Sequence, residues 1–325
     1  MSDGFIRTVR GDVAPDRLGP VNYHEHFFQE TPLLPGDELT DEDAAIGEAR
    51  RLVASGFPAV VDATPVGLGR NPLGLQRVSS EAPVSIVATT GRHRDAHYSD
   101  QQWILGLDAE AQAALFLADL VEGMPVEDRA LRAGGPIPRT AVRAGVLKVG
   151  IDYWSISSAE RETIAAVGSA HRATGAPVMV HTEYCTAVDL ALDLLEAAGV
   201  AAARVVIAHA DRTPDVGLHA AIAARGAYLG YDGAARFKDW PDSMLIEAIA
   251  GLVDSGAGER ILLGGDVARA SRYREYGGIP GLEYLGNVFL PRLQARIGAV
   301  ATTAITTANP LRWLTWSGAV VPAAQ

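Results

Sequence analysis

Apolar residues fall into two kinds of run along this chain. Short stretches nearly continuous in Val, Ile, Leu and Ala recur as AVVDAT, VSIVAT, PVMVH, RVVIAH and RILLGGD. Runs without polar alternation are expected of parallel strands covered on both faces. They predict strands at Pro20–His26, Phe57–Thr64, Pro83–Thr90, Gly145–Gly150, Pro177–His181, Arg204–His209, Ala227–Tyr231 and Arg260–Gly265. Between them, longer Ala- and Leu-rich stretches carry helical spacing, as in Asp41–Ala54, Ser158–Thr174, Ala187–Ala198 and Ser243–Val253. Glycine follows several of these stretches, at Gly56, Gly175 and Gly199, where a helix C-cap is expected.

Strand and helix alternating in this order predict a closed (β/α)8 TIM barrel rather than an open doubly wound sheet. No G-x-G-x-x-G follows an early strand, which also disfavours a dinucleotide fold. Phe5–Arg10 and Asp12–Leu18 read as a short N-terminal β-hairpin turning near Gly11. Residues from about Asp100 to Pro138 exceed one crossover and are expected to hold extra helices. No linker divides the chain, so residues 1–325 are expected to form a single domain.

Composition narrows the class. Of 325 residues, 48% are hydrophobic and 21% charged, enough to bury a large core. Asp and Glu number 39 against 28 Lys and Arg, a net charge of −11, and no basic run offsets it; no nucleic-acid partner is expected. Met1 is followed by Ser2-Asp3-Gly4 without an apolar segment, and nothing approaches the roughly 20 apolar residues of a membrane span. With a lone Cys185 excluding an internal disulfide, a cytoplasmic protein without a membrane partner is expected.

The chemistry concentrates at the ends of the predicted strands. The first ends in His24-Glu25-His26, whose i, i+2 spacing aims both imidazoles to one side and Glu25 to the other. The fourth carries Lys148 inside Val146-Leu147-Lys148-Val149, the fifth ends at His181, the sixth at His209, and the eighth runs into Asp266. Any one of these has a plain structural reading: a satisfied histidine, a helix-capping aspartate, a lysine that snorkels. Together they place six potential metal-facing groups at the C-terminal ends of five strands, the face on which this fold builds active sites. Zinc is the default ion for a His-rich hydrolytic site, with manganese, cobalt or iron fitting the same donors.

These motifs resemble the phosphotriesterase-related branch of the amidohydrolase superfamily. The resemblance runs nearly the full length, through LGPVNYHEH, VVDATPVGLGRN, VLKVG, VMVHTE, VIAHADR, LLGGD and TTANPLRWL. It implies that His24, His26 and Asp266 bind one divalent ion, His181 and His209 bind a second, and an N6-carboxylated Lys148 bridges the two. It further implies a metal-bridging hydroxide as nucleophile, Asp266 as catalytic proton acceptor, and a homodimer. A lysine can serve only as a carbamate, because an ammonium would repel the cations.

The chain departs from the family where an aromatic pair usually follows the third strand. Here the run is Thr89-Thr90-Gly91-Arg92-His93-Arg94, and Tyr98 is the candidate replacement for the missing tyrosine. Arg92, Arg94, Arg212, Arg236, Lys238, Arg269 and Arg272 all fall in loops on the presumed active face. Either they pair with neighbours such as Asp95, Asp211 and Asp239, or some of them receive an anionic substrate. Arg92, Tyr98, Arg236 and Arg269 are the candidate substrate contacts. Trp154 and Cys185 lie just past strand ends as pocket or packing residues, and the loop from about Val267 to Leu282 has the length of a lid. The expected activity is hydrolysis of a small carboxylic ester, lactone or amide bearing an anionic group. Phosphoester hydrolysis is the alternative, and a metal-containing binding protein without turnover the contrasting class.

Overall fold

The computed structural model describes residues 4–99, 102–128, 131, 137–236 and 239–316. Strands β1 (Ile6–Thr8) and β2 (Gly11–Val13) pair antiparallel, Ile6 opposite Val13 and Thr8 opposite Gly11. The hairpin therefore turns at Val9-Arg10, and Gly11 opens the second strand. The Thr8 hydroxyl fixes that turn by donating to Gly11 O (2.8 Å) and accepting from the Arg10 amide (3.2 Å). The second arm is shorter than expected because Pro15 starts a single helical turn, Pro15–Arg17.

Eight parallel strands follow: β3 (Val21–Glu25), β4 (Ala59–Asp62), β5 (Ser85–Arg92), β6 (Val146–Gly150), β7 (Val178–His181), β8 (Val205–Ala208), β9 (Tyr228–Tyr231) and β10 (Ile261–Leu263). Each pairs with its sequence neighbour. The amides of Gly265 (3.3 Å) and Asp266 (2.9 Å) donate to His24 O, joining the last strand's end to the first. The result is a (β/α)8 barrel.

Two buried clusters divide the core. Val21, Val61, Val87, Val146, Met179, Val206 and Leu262 fill the barrel interior. Ile86, Leu147, Val149, Val180, Ile207 and Leu263 pack outward against the helices. Alternation along β6 thus puts Lys148 on the inner face with Val146, and along β7 His181 with Met179. The surrounding helices carry the expected ends: Asp41 caps Glu42–Ala54, and Ser157 and Glu160 form a capping box on Ser158–Thr174, which stops at left-handed Gly175. Pro72–Glu81 is a further helix, capped by the Asn71 side chain.

The long third crossover holds helices Gln102–Leu105 and Ala109–Val121, with part of it outside the described residues. It is pinned to the barrel by buried Asp119, which accepts from Thr90 (2.7 Å), Arg70 (2.8 Å) and Arg139 (2.9 Å). Among the described residues, no helix is long and apolar enough to cross a membrane.

Candidate metal centre and cationic cavity

A cavity of about 480 Å3 opens at the C-terminal end of the barrel, and His24, His26, Lys148, His181, His209 and Asp266 all line it. Simple alternation does not deliver all six. On β8, Val206 and Ala208 face inward, so His209 would face the helices; a left-handed backbone (φ 61°) turns it into the cavity instead. Asp266 also sits at positive φ (40°), after Gly264-Gly265. Non-glycine residues held there are strained, and such strain collects at functional sites. On β3 the pairing with β4 shifts register between Asn22 and Glu25, where Tyr23, His24 and His26 all reach the interior.

Hydrogen bonds fix which nitrogen of each imidazole is free. His26 Nδ1 meets the Thr64 hydroxyl at 2.7 Å, and that hydroxyl spends its own proton on Phe28 O (2.8 Å). His26 therefore donates from Nδ1, and its Nε2 lone pair faces Asp266 Oδ1 at 3.5 Å. Asp232 plays the same part for two further rings, accepting from His24 Nδ1 (3.1 Å) and His209 Nδ1 (2.7 Å), and also from the Tyr23 hydroxyl. Burial alone would raise its carboxyl; His209 and His24 hold it well below the usual carboxylate range. A carboxylate that spends its oxygens on Nδ1 protons is an orienting group for metal ligands.

The remaining donor atoms converge. His24 Nε2 is buried without a hydrogen-bond partner, 3.6 Å from Asp266 Oδ1. His209 Nε2 faces His181 Nδ1 at 2.8 Å, while the opposite nitrogens are turned to Asp232 and Glu183 (2.9 Å). Two ring nitrogens at hydrogen-bond distance and an orphaned buried nitrogen form a cluster of donor atoms that suits metal coordination. Burial lowers His26 to about 3 and His209 to about 4, so both stay neutral, as ligation requires. Burial would raise Asp266, but Arg236 and His24 hold it well below the usual range. Burial also lowers the Lys148 amine to about 8, against the pull of Asp266, Asp232 and Asp62; its Nζ donates to Ala63 O at 2.9 Å. The residues fit a divalent metal ion, the ligand atoms of His24, His26 and Asp266 lying within 4.8 Å of one another.

A family model described as Phosphotriesterase family matches residues 4–314. The chain belongs to the phosphotriesterase family, and it is a hydrolase. A phospho-furanose lactonase of Mycoplasmopsis synoviae is 29% identical, with 97% of this chain and 92% of that protein aligned. The crystal structure of a lactonase from Listeria monocytogenes superposes with a TM-score of 0.85 at 30% identity, covering 96% of this chain and 99% of that one. The Escherichia coli phosphotriesterase homology protein, solved with phosphate in its active site, gives 0.81 at 25% identity, covering 93% and 100%.

The four candidate substrate contacts separate in this member of the family. Arg236 lines the cavity, its guanidinium on the carbonyl and carboxylate of Asp266. Arg269 lines it as well, and both border an adjoining cavity of about 770 Å3 together with Arg272 and Arg292. Arg92 is buried and turned away, bonded to Asp95 and to Ala159 O (3.2 Å) under the helix at Ser158. It shares the outward parity of Ile86 and Ala88 on β5, a signal present in the sequence. Tyr98 is also buried, its hydroxyl accepting from the His93 amide and donating to Val66 O (both 2.9 Å). Arg94 and Arg212 pair with Glu183 at 3.3 Å and 2.8 Å, and Lys238 lies outside the described residues. Cys185 is buried and Trp154 is 71% exposed; neither borders the metal cavity.

The loop after β10 is tied down rather than free. The Glu48 carboxylate accepts from the amides of Glu275 (2.9 Å) and Leu282 (3.0 Å), Asp37 from Ser271 (2.8 Å), and the Tyr273 hydroxyl donates to His26 O. Glu25, facing away from the cavity, accepts from Asn22 (3.0 Å) and from the Val267 amide (3.0 Å), bracing the turn that carries Asp266.

Proposed function

We propose that this chain is a binuclear metal-dependent lactonase whose substrate is a small lactone bearing an anionic group, a phosphorylated furanose lactone being the class that fits best. The observation that carries the reading is the junction of a converging donor set with arginine N–H groups left without a partner, Arg236 being paired with Asp266 through Nη2 alone. Arg269 and Arg272 form no ion pair among the described residues, and the Arg236 Nε is buried without a partner. Burial lowers Arg272, and Arg236 lowers it further, so an anion placed there relieves both desolvation and mutual repulsion. The names of the phospho-furanose lactonase relatives, and the phosphate in the related active site, support the same choice.

His24, His26 and Asp266 would hold one ion and His181 and His209 the other, with Lys148 between them as a carbamate. Zinc suits this donor set. Bound there, the ions would supply a water of lowered pKa and would polarise the lactone carbonyl. The chain's own part is orientation and proton handling. Asp232 and Thr64 hold three imidazoles in the Nδ1–H form, leaving each Nε2 as a donor of electrons. Asp266 stays ionised beside Arg236, so its Oδ1 can take the proton of the attacking water and return it to the leaving alkoxide. Arg269 and Arg272 hold the anionic end of the substrate.

The test is a comparison of kcat/KM, on zinc-loaded protein, for a phosphorylated furanose lactone, its unphosphorylated counterpart and a neutral phosphotriester. The phosphorylated lactone should be hydrolysed fastest. Added salt and Arg272→Ala should each raise its KM while leaving the neutral lactone unaffected. A neutral lactone or phosphotriester as best substrate, with no effect of salt, refutes the anionic-substrate reading.

A further inference from the structure

The third-strand loop brings a group to the cavity that the metal centre does not use. Gly91 lets β5 turn against β6: it has φ +112°, and a Cβ there would lie 2.0 Å from Lys148 O. The next turn is seated on Gly150, where a Cβ would lie 2.3 Å from the Arg94 amide. This places the imidazole of His93 on the cavity wall, with His181 at 4.2 Å and His97 at 3.8 Å between ring centroids. Its backbone is fixed from behind by the Tyr98 hydroxyl, which accepts from the His93 amide.

The tautomer of His93 follows from one hydrogen bond. The Arg94 backbone amide, which can only donate, points at His93 Nδ1 at 2.9 Å. Nδ1 is therefore an acceptor, and a neutral ring must carry its proton on Nε2, the corner farthest from the backbone. Among the described residues no protein atom accepts from Nε2. The ring is thus a neutral N–H donor, packed against His97 and His181, in a cavity that also holds the metal donors, several arginines and the carboxylates Glu183 and Asp239.

We propose that His93 is a substrate-contacting, specificity-determining residue: its Nε2–H donates to a hydroxyl oxygen of the lactone and so selects hydroxylated sugar lactones over their deoxy counterparts. This rests on the lactonase reading and deepens it. His93 packs against His181 on the cavity wall, one ring removed from the converging donors, so it faces a part of the substrate other than the reacting carbonyl. A neutral donor suits a hydroxyl there, whereas the charged end of the substrate belongs to the arginines across the cavity.

The experiment compares a hydroxylated lactone with its deoxy analogue in the zinc-loaded protein and in His93→Phe, which keeps a ring but loses the donor. The unaltered protein should favour the hydroxylated lactone by about tenfold in kcat/KM. His93→Phe should lose about that factor on the hydroxylated lactone and nothing on the deoxy analogue, with zinc content unchanged. His93→Gln, which retains an N–H of similar reach, should recover most of the preference. If phenylalanine disrupts the loop, His93→Asn, too short to reach, serves as the donor-loss variant. Equal losses on both lactones would overturn the proposal, because a residue that only packs against His181 cannot tell the substrates apart. Turnover by the unaltered protein tests the lactonase reading separately. Calorimetric binding of the two hydroxy-acid products gives the same His93 comparison without turnover.

Discussion

Replacing Lys148 by methionine in metal-stripped, CO2-free protein should make stability depend on pH differently from the unaltered chain. The amine lies inside the barrel with one hydrogen bond, to Ala63 O, and burial lowers it from 10.5 to about 8. At about 1.4 kcal/mol per pH unit, holding the ammonium inside costs about 3 kcal/mol. Because the folded-state value is the lower one, the unfolded chain binds more protons between about pH 8 and 10.5. The cost is fully present below pH 8, shrinks as pH rises through this window and is gone above it. Methionine fills similar space without titrating; the lost Ala63 bond, worth about 1 kcal/mol, does not vary with pH. Urea unfolding at steps from pH 7 to 10.5 gives the stability of each protein from its midpoint and slope. The stability of the unaltered protein relative to the Lys148→Met variant should rise by about 3 kcal/mol across the window, all other titrating groups cancelling. A difference that stays flat would show that the amine is not held in a low-dielectric setting. The same physics matters for function: an amine at about 8 is neutral in about a tenth of molecules at pH 7, and only the neutral amine can form a carbamate.

Two further substitutions separate roles within the centre. Asp266→Asn should lower kcat on the order of 10²–10⁴-fold while most bound metal remains, measured as turnover beside elemental analysis; near-normal turnover by fully loaded enzyme would mean the proton leaves by another route. Asp232→Asn should weaken metal binding by roughly 10–100-fold, read by competition with a chelator, because asparagine keeps a single acceptor oxygen for the Nδ1 protons of both His24 and His209. Unchanged affinity would remove Asp232 from that role.

Much of this arrangement is written in local pattern. A parallel strand buried on both sides must be apolar throughout, so a polar residue at its end stands out, and His181 and Lys148 are found by counting alternate positions from Met179 and Val146. The same count, continued along β5, sends Arg92 outward to Asp95, although its place in an active-face loop suggests a substrate contact. Counting fails at His209, whose positive φ interrupts the alternation of β8, whereas Asp266 keeps the inward parity of Leu262 despite its own positive φ. Asp232 is equally hidden: one carboxylate at the end of β9 becomes the hub for Tyr23, His24 and His209 only because barrel closure brings β3, β8 and β9 within hydrogen-bond reach. Tyr98 and Glu25 likewise act through partners distant in sequence, Val66 and Val267. Sequence alone determined which faces are buried and which side chains stand at strand ends, because burial and parity are properties of each strand by itself. Only the tertiary structure decided which nitrogens are free, which arginines are paired and which groups share a cavity, because hydrogen-bond direction and charge compensation depend on neighbours that the closed barrel supplies.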